Sequence, residues 1–389
     1  MNLTENIKFK SFKKETPKKK ILNLFTNLIY ENNEILKSLS NSYKDSWSKK
    51  TILKLQKFSN ILLIGMGGSV MGSKAIYSFL KKNIKKNFFF IDSFDKIKNI
   101  NLKNKLNLII SKSGNTLETI STSNILIKRN KNNIFITENK NNYLRNLASK
   151  LKSEIIEHNN YIGGRYSVLS EVGMLPAELM GLNVKHFRRL NELINSKIFV
   201  NSLLINVSNI LTNIKNKRYN SVILNYDESS QDLFYWYQQL VAESLGKKGK
   251  GIFPIISRMP QDNHSLMQFY LDSKEKNFFT FFFVEDKISH KIKNSNLLES
   301  RKYLRNKKLN SILYTQYLAT QNVFNKKKIP FRSFFIKKKN EQTLGELFTF
   351  FMLEIILLGK ALNIDPYNQP LVELVKSETK KNLIKTNLK

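Results

Sequence analysis

Six polar residues in a row, Ser111-Lys112-Ser113-Gly114-Asn115-Thr116, separate an apolar run from a helix-like stretch. Backbone N–H groups in the first turn of a helix have no intrahelical partners and lie at the positive end of its dipole. Hydroxyls of Ser111, Ser113 and Thr116 add donors, and Gly114 lets the backbone curl around an anion. This suits a monophosphate. The same residues also describe a well-capped helix start, with Thr116 as N-cap and Glu118 and Thr119 in the first turn; pattern alone leaves both open. A second polar turn, Gly65-Met66-Gly67-Gly68-Ser69, follows an earlier apolar run. Val70 occupies the third glycine position of a dinucleotide loop, and Lys74 does not directly follow Gly72 as a triphosphate loop requires. Two strand-end loops of neither nucleotide type favour a small phosphorylated ligand at the carboxyl edge of a sheet.

Four further residues have side chains suited to acid–base or electrostatic work. In QDLFYWYQQLVAESLGK, Leu233, Tyr237, Leu240 and Val241 make an apolar helical stripe, while Gln239 and Glu243, four apart, share another face near Trp236. Glu243 is a candidate general base, and equally a solvated carboxylate. His264 lies in RMPQDNHSLMQFY, where a polar loop turns into a helix; it is a candidate acid–base group or an ordinary exposed histidine. Arg165 follows two glycines in YIGGRYSVLS, in a turn able to bring its guanidinium to a developing oxyanion, or simply to a loop surface. Lys376, in QPLVELVKSETKK, sits in a Lys-rich tail where a solvated charge is the plain alternative.

The chain has no cysteine, which removes disulfides, thiolate metal sites and a cysteine nucleophile together. Its four histidines, His158, His186, His264 and His290, are scattered, with no helical metal-pair spacing. Metal-dependent chemistry is not expected, carboxylate-only magnesium sites apart. The net charge of +35 invites a nucleic-acid or anionic-membrane partner. Lys, Asn and Ile are inflated together, however, and the lysines are spread along the chain, as in an AT-rich coding sequence. The expectation is therefore no specific nucleic-acid partner, with a field that draws anionic substrates. No apolar run reaches the roughly 18 residues that suggest a membrane span. The basic start lacks the apolar middle of a secretory signal, so a cytoplasmic home is expected.

The elements that must position these residues follow from hydrophobic periodicity. Residues 61–64, 88–91, 106–110 and 134–136 are short apolar runs suited to strands buried on both faces, with helical stretches such as 70–80 and 117–127 between them. Alternation of this kind implies right-handed crossovers and a mainly parallel sheet. Residues 167–204 read as mostly helical. A second set of strands is expected at 222–225, 278–284 and 331–336, with helices at 231–245, 311–324 and 344–362. The expected fold is α/β, with two three-layer α/β/α sandwich domains. Residues 1–48 form a polar arm with one amphipathic helix near 21–39. Residues 49–184 carry the phosphate loop, and residues 185–389 form the second domain with a helical tail.

Taken together, the motifs resemble the glucose-6-phosphate isomerase family from about Ile61 to Lys376. IGMGGSVMG is similar to that family's first glycine turn, SKSGNTLET to its sugar-phosphate segment, and GGRYSVLSEVGMLP to its signature stretch. QQLVAESLGK resembles the segment bearing its catalytic glutamate, DNHS the one bearing its histidine, and YNQPLVELVK the one bearing its lysine. The resemblance implies two sugar-isomerase (SIS) domains, a homodimer with shared active sites, and no metal or organic cofactor. By the same resemblance His264, helped by Lys376, opens the sugar ring, with the histidine lent by the neighbouring subunit. Glu243 moves the proton between C2 and C1, and Arg165 stabilises the cis-enediolate. Ser111, Lys112, Ser113 and Thr116 hold the phosphate with Gly68 and Ser69 nearby, and Gln239 lines the sugar site. Asn263 stands where the family usually has Gln, and Asn368 and Leu371 replace its usual Asp and Gly. The activity implied is interconversion of glucose 6-phosphate and fructose 6-phosphate. A dual phosphoglucose/phosphomannose isomerase and a non-catalytic sugar-phosphate sensor on the same fold are the alternatives.

Overall fold

The computed structural model describes residues 1–12, 16–97, 102–128, 132–286 and 288–386. Among the described residues, ten strands form two five-stranded sheets. The first contains β2 (Asn60–Gly65), β3 (Asn87–Ile91), β4 (Lys105–Ile110), β5 (Asn133–Glu138) and β6 (Glu154–His158), in the order β3-β2-β4-β5-β6 and parallel throughout. The second contains β1 (Ile7–Lys10), β7 (Asn220–Asn225), β8 (Phe253–Arg258), β9 (Asn277–Val284) and β10 (Phe331–Ile336), in the order β1-β10-β9-β7-β8. All its pairs are parallel except β1 with β10. The expected α/β class with mainly parallel sheets is what the chain adopts.

The central strands are continuous apolar runs because helices cover both their faces. Ile61 to Ile64 are fully buried in β2, and all eight residues of β9, NFFTFFFV, are buried. The helix Glu341–Ala361 is buried along nearly its whole length and lies among the helices of the second unit. The two units are joined by the helices Gly68–Phe79 and Gln231–Leu245, which pack against each other. Across that contact Ser78 donates to Asp232, while Lys74 reaches Asp92 at 3.0 Å and Asp232 at 3.9 Å.

Residues 1–48 are more than the arm expected. Ile7 and Phe9 of β1 point inward and pair along β10, with Lys8 and Lys10 outward. The expected helix is split into Lys19–Tyr30 and Glu34–Ser38, the second capped by the Asn33 side chain accepting from the Ile35 amide.

One polar network lies wholly inside the second unit. Arg332 of β10 pairs with Glu354, and both side chains are completely buried. Arg332 also donates to Thr280 at 2.9 Å and to Asn206 at 2.9 Å, and Tyr237 donates to Glu354 at 2.7 Å. Removing one partner leaves an uncompensated buried charge, whose cost is about 3–5 kcal/mol. Glu354→Ala is therefore expected to destabilise the protein by that amount, read as a shifted urea midpoint.

Candidate active site

The register places the two polar loops side by side. Gly65 ends β2 opposite Ile110, which ends β4, so the turn 65–69 and the loop 111–116 leave the same carboxyl edge. Thr116 occupies the N-cap position of the helix Leu117–Leu126, yet its side chain does not cap it. Its hydroxyl lies 2.8 Å from the Ser111 hydroxyl across the loop instead. The first-turn N–H groups of that helix thus remain available to an anion. Gly114 has φ +62°, and a Cβ there would stand 1.9 Å from Asn142 Oδ1. Asn142, which caps the next helix and donates to Thr137 at 3.1 Å, is the loop's back wall. Ser113 is exposed, and the Lys112 backbone is tied to β5 through its carbonyl, which accepts from the Glu138 amide at 3.0 Å.

Burial holds the Lys112 ammonium below its usual pKa; Glu138 opposes the shift and Lys140 adds to it. The charged form is the one that attracts a phosphate dianion. Affinity for a sugar phosphate is therefore expected to fall as pH rises through this lowered pKa, earlier than an ordinary lysine would cause. Inhibitor affinity of a sugar-acid phosphate against pH checks this, and Lys112→Arg should flatten the fall.

The first glycine turn abuts the arginine. A Cβ on Gly68 would come within 2.3 Å of the Gly164 carbonyl carbon and 2.8 Å of the Arg165 amide, so only glycine permits that approach. Gly67, at φ +55°, lies under the Gln239 side chain, whose Nε2 would sit 3.1 Å from an added Cβ. Ser69 is half-buried at the start of its helix.

Arg165 is almost completely buried. Its Nε donates to Ser244 at 2.8 Å, one terminal nitrogen donates to Glu243 at 3.3 Å and to Gln369, and the other donates to the carbonyls of Pro366 at 2.7 Å and Asn368 at 3.0 Å. All five donors are engaged. The bond to Glu243 is the longest and so the easiest to yield. Glu243 also accepts from Gln239 at 2.8 Å and keeps a quarter of its side chain open to solvent. The Gln239 carbonyl oxygen is buried without a hydrogen-bond partner, a free acceptor beside the carboxylate. Trp236 is buried and packs edge-on against Phe348.

The structure thus brings together Gly68, Arg165, Gln239 and Glu243, next to the loop of Ser111, Lys112, Ser113 and Thr116. It does not bring His264 or Lys376 to them. His264 is exposed after β8, and its ring makes no hydrogen bond to a described residue. Its loop is nevertheless stapled by Asp262, which accepts from Ser257 at 2.7 Å, the Arg258 amide at 2.7 Å and Ser265 at 2.8 Å. Burial raises the Asp262 pKa, but these hydrogen bonds more than offset it and the net direction is down. Lys376 lies on the helix Val372–Thr386, none of whose residues is buried, and pairs only with Glu373 one turn away at 2.7 Å.

Ser244, Gln369 and Asn142 are site residues that pattern reasoning did not single out. Asn368 meets Arg165 through its backbone carbonyl, so its difference from the usual Asp leaves that contact intact. Lys247 braces the same segment by donating to the Asp365 carbonyl at 2.6 Å. Burial first, then the Arg165 charge, lowers its pKa.

Two parallel α/β units, joined so that a phosphate-type loop and a carboxylate–guanidinium pair share one edge, define a protein of the sugar-isomerase class. Solved structures agree on the fold. A hypothetical protein from Thermus thermophilus superposes with a TM-score of 0.81, at 21% identity, over 94% of each chain. A glucose-6-phosphate isomerase from Chlamydia trachomatis gives 0.70, at 18% identity, over 91% of this chain and 78% of that one. At the sequence level, the model of the family described as phosphoglucose isomerase matches residues 8–252. The glucose-6-phosphate isomerase of Methanocaldococcus jannaschii is 32% identical over 340 residues, which cover 82% of this chain and 83% of the relative. The chain belongs to the phosphoglucose isomerase family.

Proposed function

We propose that this protein interconverts glucose 6-phosphate and fructose 6-phosphate, with Glu243 as the base. The observation that carries this reading is the Glu243 carboxylate, held between Gln239 and Arg165 and partly open, beside a loop with free first-turn amides. An aldose–ketose shift needs one base that reaches two adjacent carbons, because the proton removed from one is returned to the other. Arg165 supplies positive charge next to that base, where a cis-enediolate gains most from it. The phosphate does not react; its binding energy orients the sugar. Ser111, Lys112, Ser113 and Thr116 hold it in this reading, with Gly68 and Ser69 at the neighbouring turn.

His264 and Lys376 complete the site from outside this arrangement. Their exposure, together with that of Leu374 and Val375 on the tail helix, supports a homodimer in which the histidine serves the neighbouring subunit. Lys376 closes on the sugar with the same helix and assists ring opening. No helix among the described residues is long and apolar enough to cross a membrane. In this reading the enzyme works in the cytoplasm, where charged sugar phosphates are made and retained. The test is a coupled assay converting fructose 6-phosphate to glucose 6-phosphate without added metal, run beside sedimentation. Turnover by a dimer is expected; no turnover at any protein concentration would refute the assignment.

A further inference from the structure

We infer that Ser244 and Tyr166 are positioning residues for the isomerisation, whose hydroxyls lock one edge of the Arg165 guanidinium so that its other edge stays aimed at Glu243. Both roles rest on the isomerase reading above.

Each of the two directly follows a site residue in the chain, Tyr166 after Arg165 and Ser244 after Glu243. Successive helical residues point about 100° apart. With Glu243 partly open on the helix Gln231–Leu245, Ser244 therefore turns inward, and it is completely buried. Tyr166 lies in the tight turn Gly164–Leu169 and is buried as fully.

A guanidinium carries its Nε–H and one Nη2–H side by side, as a fork in a fixed plane. In Arg165 the prongs meet Ser244 Oγ, 2.8 Å from Nε, and the Pro366 carbonyl, 2.7 Å from Nη2. The Tyr166 hydroxyl bridges these two acceptors, 2.9 Å from Ser244 Oγ and 3.1 Å from the carbonyl oxygen. The direction of each bond follows from the protons present. The guanidinium only donates and the carbonyl only accepts. The Tyr166 proton goes to Pro366, so the proton between the two hydroxyls is that of Ser244. Burial raises the Tyr166 pKa, which keeps its proton in place. Arg165, Ser244, Tyr166 and Pro366 thus form a closed ring of hydrogen bonds. The aromatic face of Tyr166 adds a second hold, 5.3 Å from the guanidinium carbon.

With Nε and Nη2 held, the guanidinium is kept from turning in its plane, and Nη1 is left facing Glu243 at 3.3 Å. An enediolate developing beside that carboxylate gains from charge on this side, and a donor held in advance needs no reorganisation as the charge forms. Neither hydroxyl needs to touch the sugar; both act through Arg165.

The test is steady-state kinetics with fructose 6-phosphate on full-length Ser244→Ala, Tyr166→Phe and the double variant, each beside a thermal melt. Ser244→Ala removes a corner of the ring and is expected to lower kcat about ten-fold, because small misplacements of a catalytic group are amplified in the rate. Tyr166→Phe keeps the aromatic face and should lower kcat about three-fold. KM should stay within about two-fold in both, because the phosphate loop is built on another strand. One break opens the ring, so the double variant should lose about as much as Ser244→Ala alone, not the product of the two losses. If Ser244→Ala does not fold, Tyr166→Phe decides alone, since it removes a single oxygen. A lower melting temperature with parental kcat, measured well below the melt, would reduce both residues to structural support and overturn the assignment. Losses that multiply in the double variant, or a raised KM with kcat intact, would overturn it too. No turnover in the parent chain would instead defeat the isomerase reading, so the two failures are told apart by the first measurement.

Discussion

Glu243→Gln is expected to lower kcat for fructose 6-phosphate by about 10²–10⁴-fold, the usual worth of a positioned acid–base group. KM should change little. The amide has the same shape, and its oxygen still accepts from the Gln239 side chain that holds the carboxylate now. Phosphate anchoring is untouched, because the loop at Ser111 to Thr116 is built on another strand. The melting temperature should fall modestly, since the amide NH2 then faces the buried Arg165 where Oε2 accepts from it, while partial solvation of the side chain limits the loss. The informative comparison is steady-state kinetics beside a thermal melt. A variant that keeps parental kcat removes Glu243 from the mechanism.

Arg165→Lys should affect both activity and stability. Loss of an electrostatic donor at a developing oxyanion typically costs about 10²–10³-fold in kcat, and kcat/KM should fall at least as far. An ammonium has three donors where the guanidinium has five in a fixed fork, so at least two of the acceptors Ser244, Glu243, Gln369, Pro366 and Asn368 lose their partner. Each buried acceptor left unpaired costs about 1–3 kcal/mol. A chemical melt should therefore shift together with the rate. Unchanged stability with lost activity would show that the 366–369 segment does not depend on this arginine.

The sheets were legible where helices cover both faces. β2, β4, β5 and β9 read directly as apolar runs, because burial on two sides selects uniform hydrophobicity. The strands that escaped notice lie at sheet edges. β6 is EIIEH, charged at both ends, and β8 is FPIISR, with a proline and an arginine. β1, IKFK, hid in a Lys-rich stretch because only every second residue is buried. Around the site, the polar loop was readable from residue type, since a free helix start and small hydroxyl side chains have a local signature. The hold on Arg165 was not. Two of its partners are backbone carbonyls some two hundred residues away, and a carbonyl has no letter in the sequence. Trp236 shares the face of Glu243 two helical turns earlier, but its ring is buried against Phe348.

The clasp between Arg165 and residues 366–369 has a consequence for the tail that follows it. The helix Val372–Thr386 leaves the body only three residues beyond Gln369, so its attachment and the posture of the guanidinium share one set of bonds. A substrate that draws Arg165 toward itself alters how firmly the tail is tethered, and linkage makes the effect reciprocal. Whatever immobilises the tail changes sugar-phosphate affinity by the same factor. Protease nicking within residues 372–386 should therefore report on occupancy of a site that the protease never touches, and an antibody or fusion partner that grips the tail should act as an effector of the enzyme.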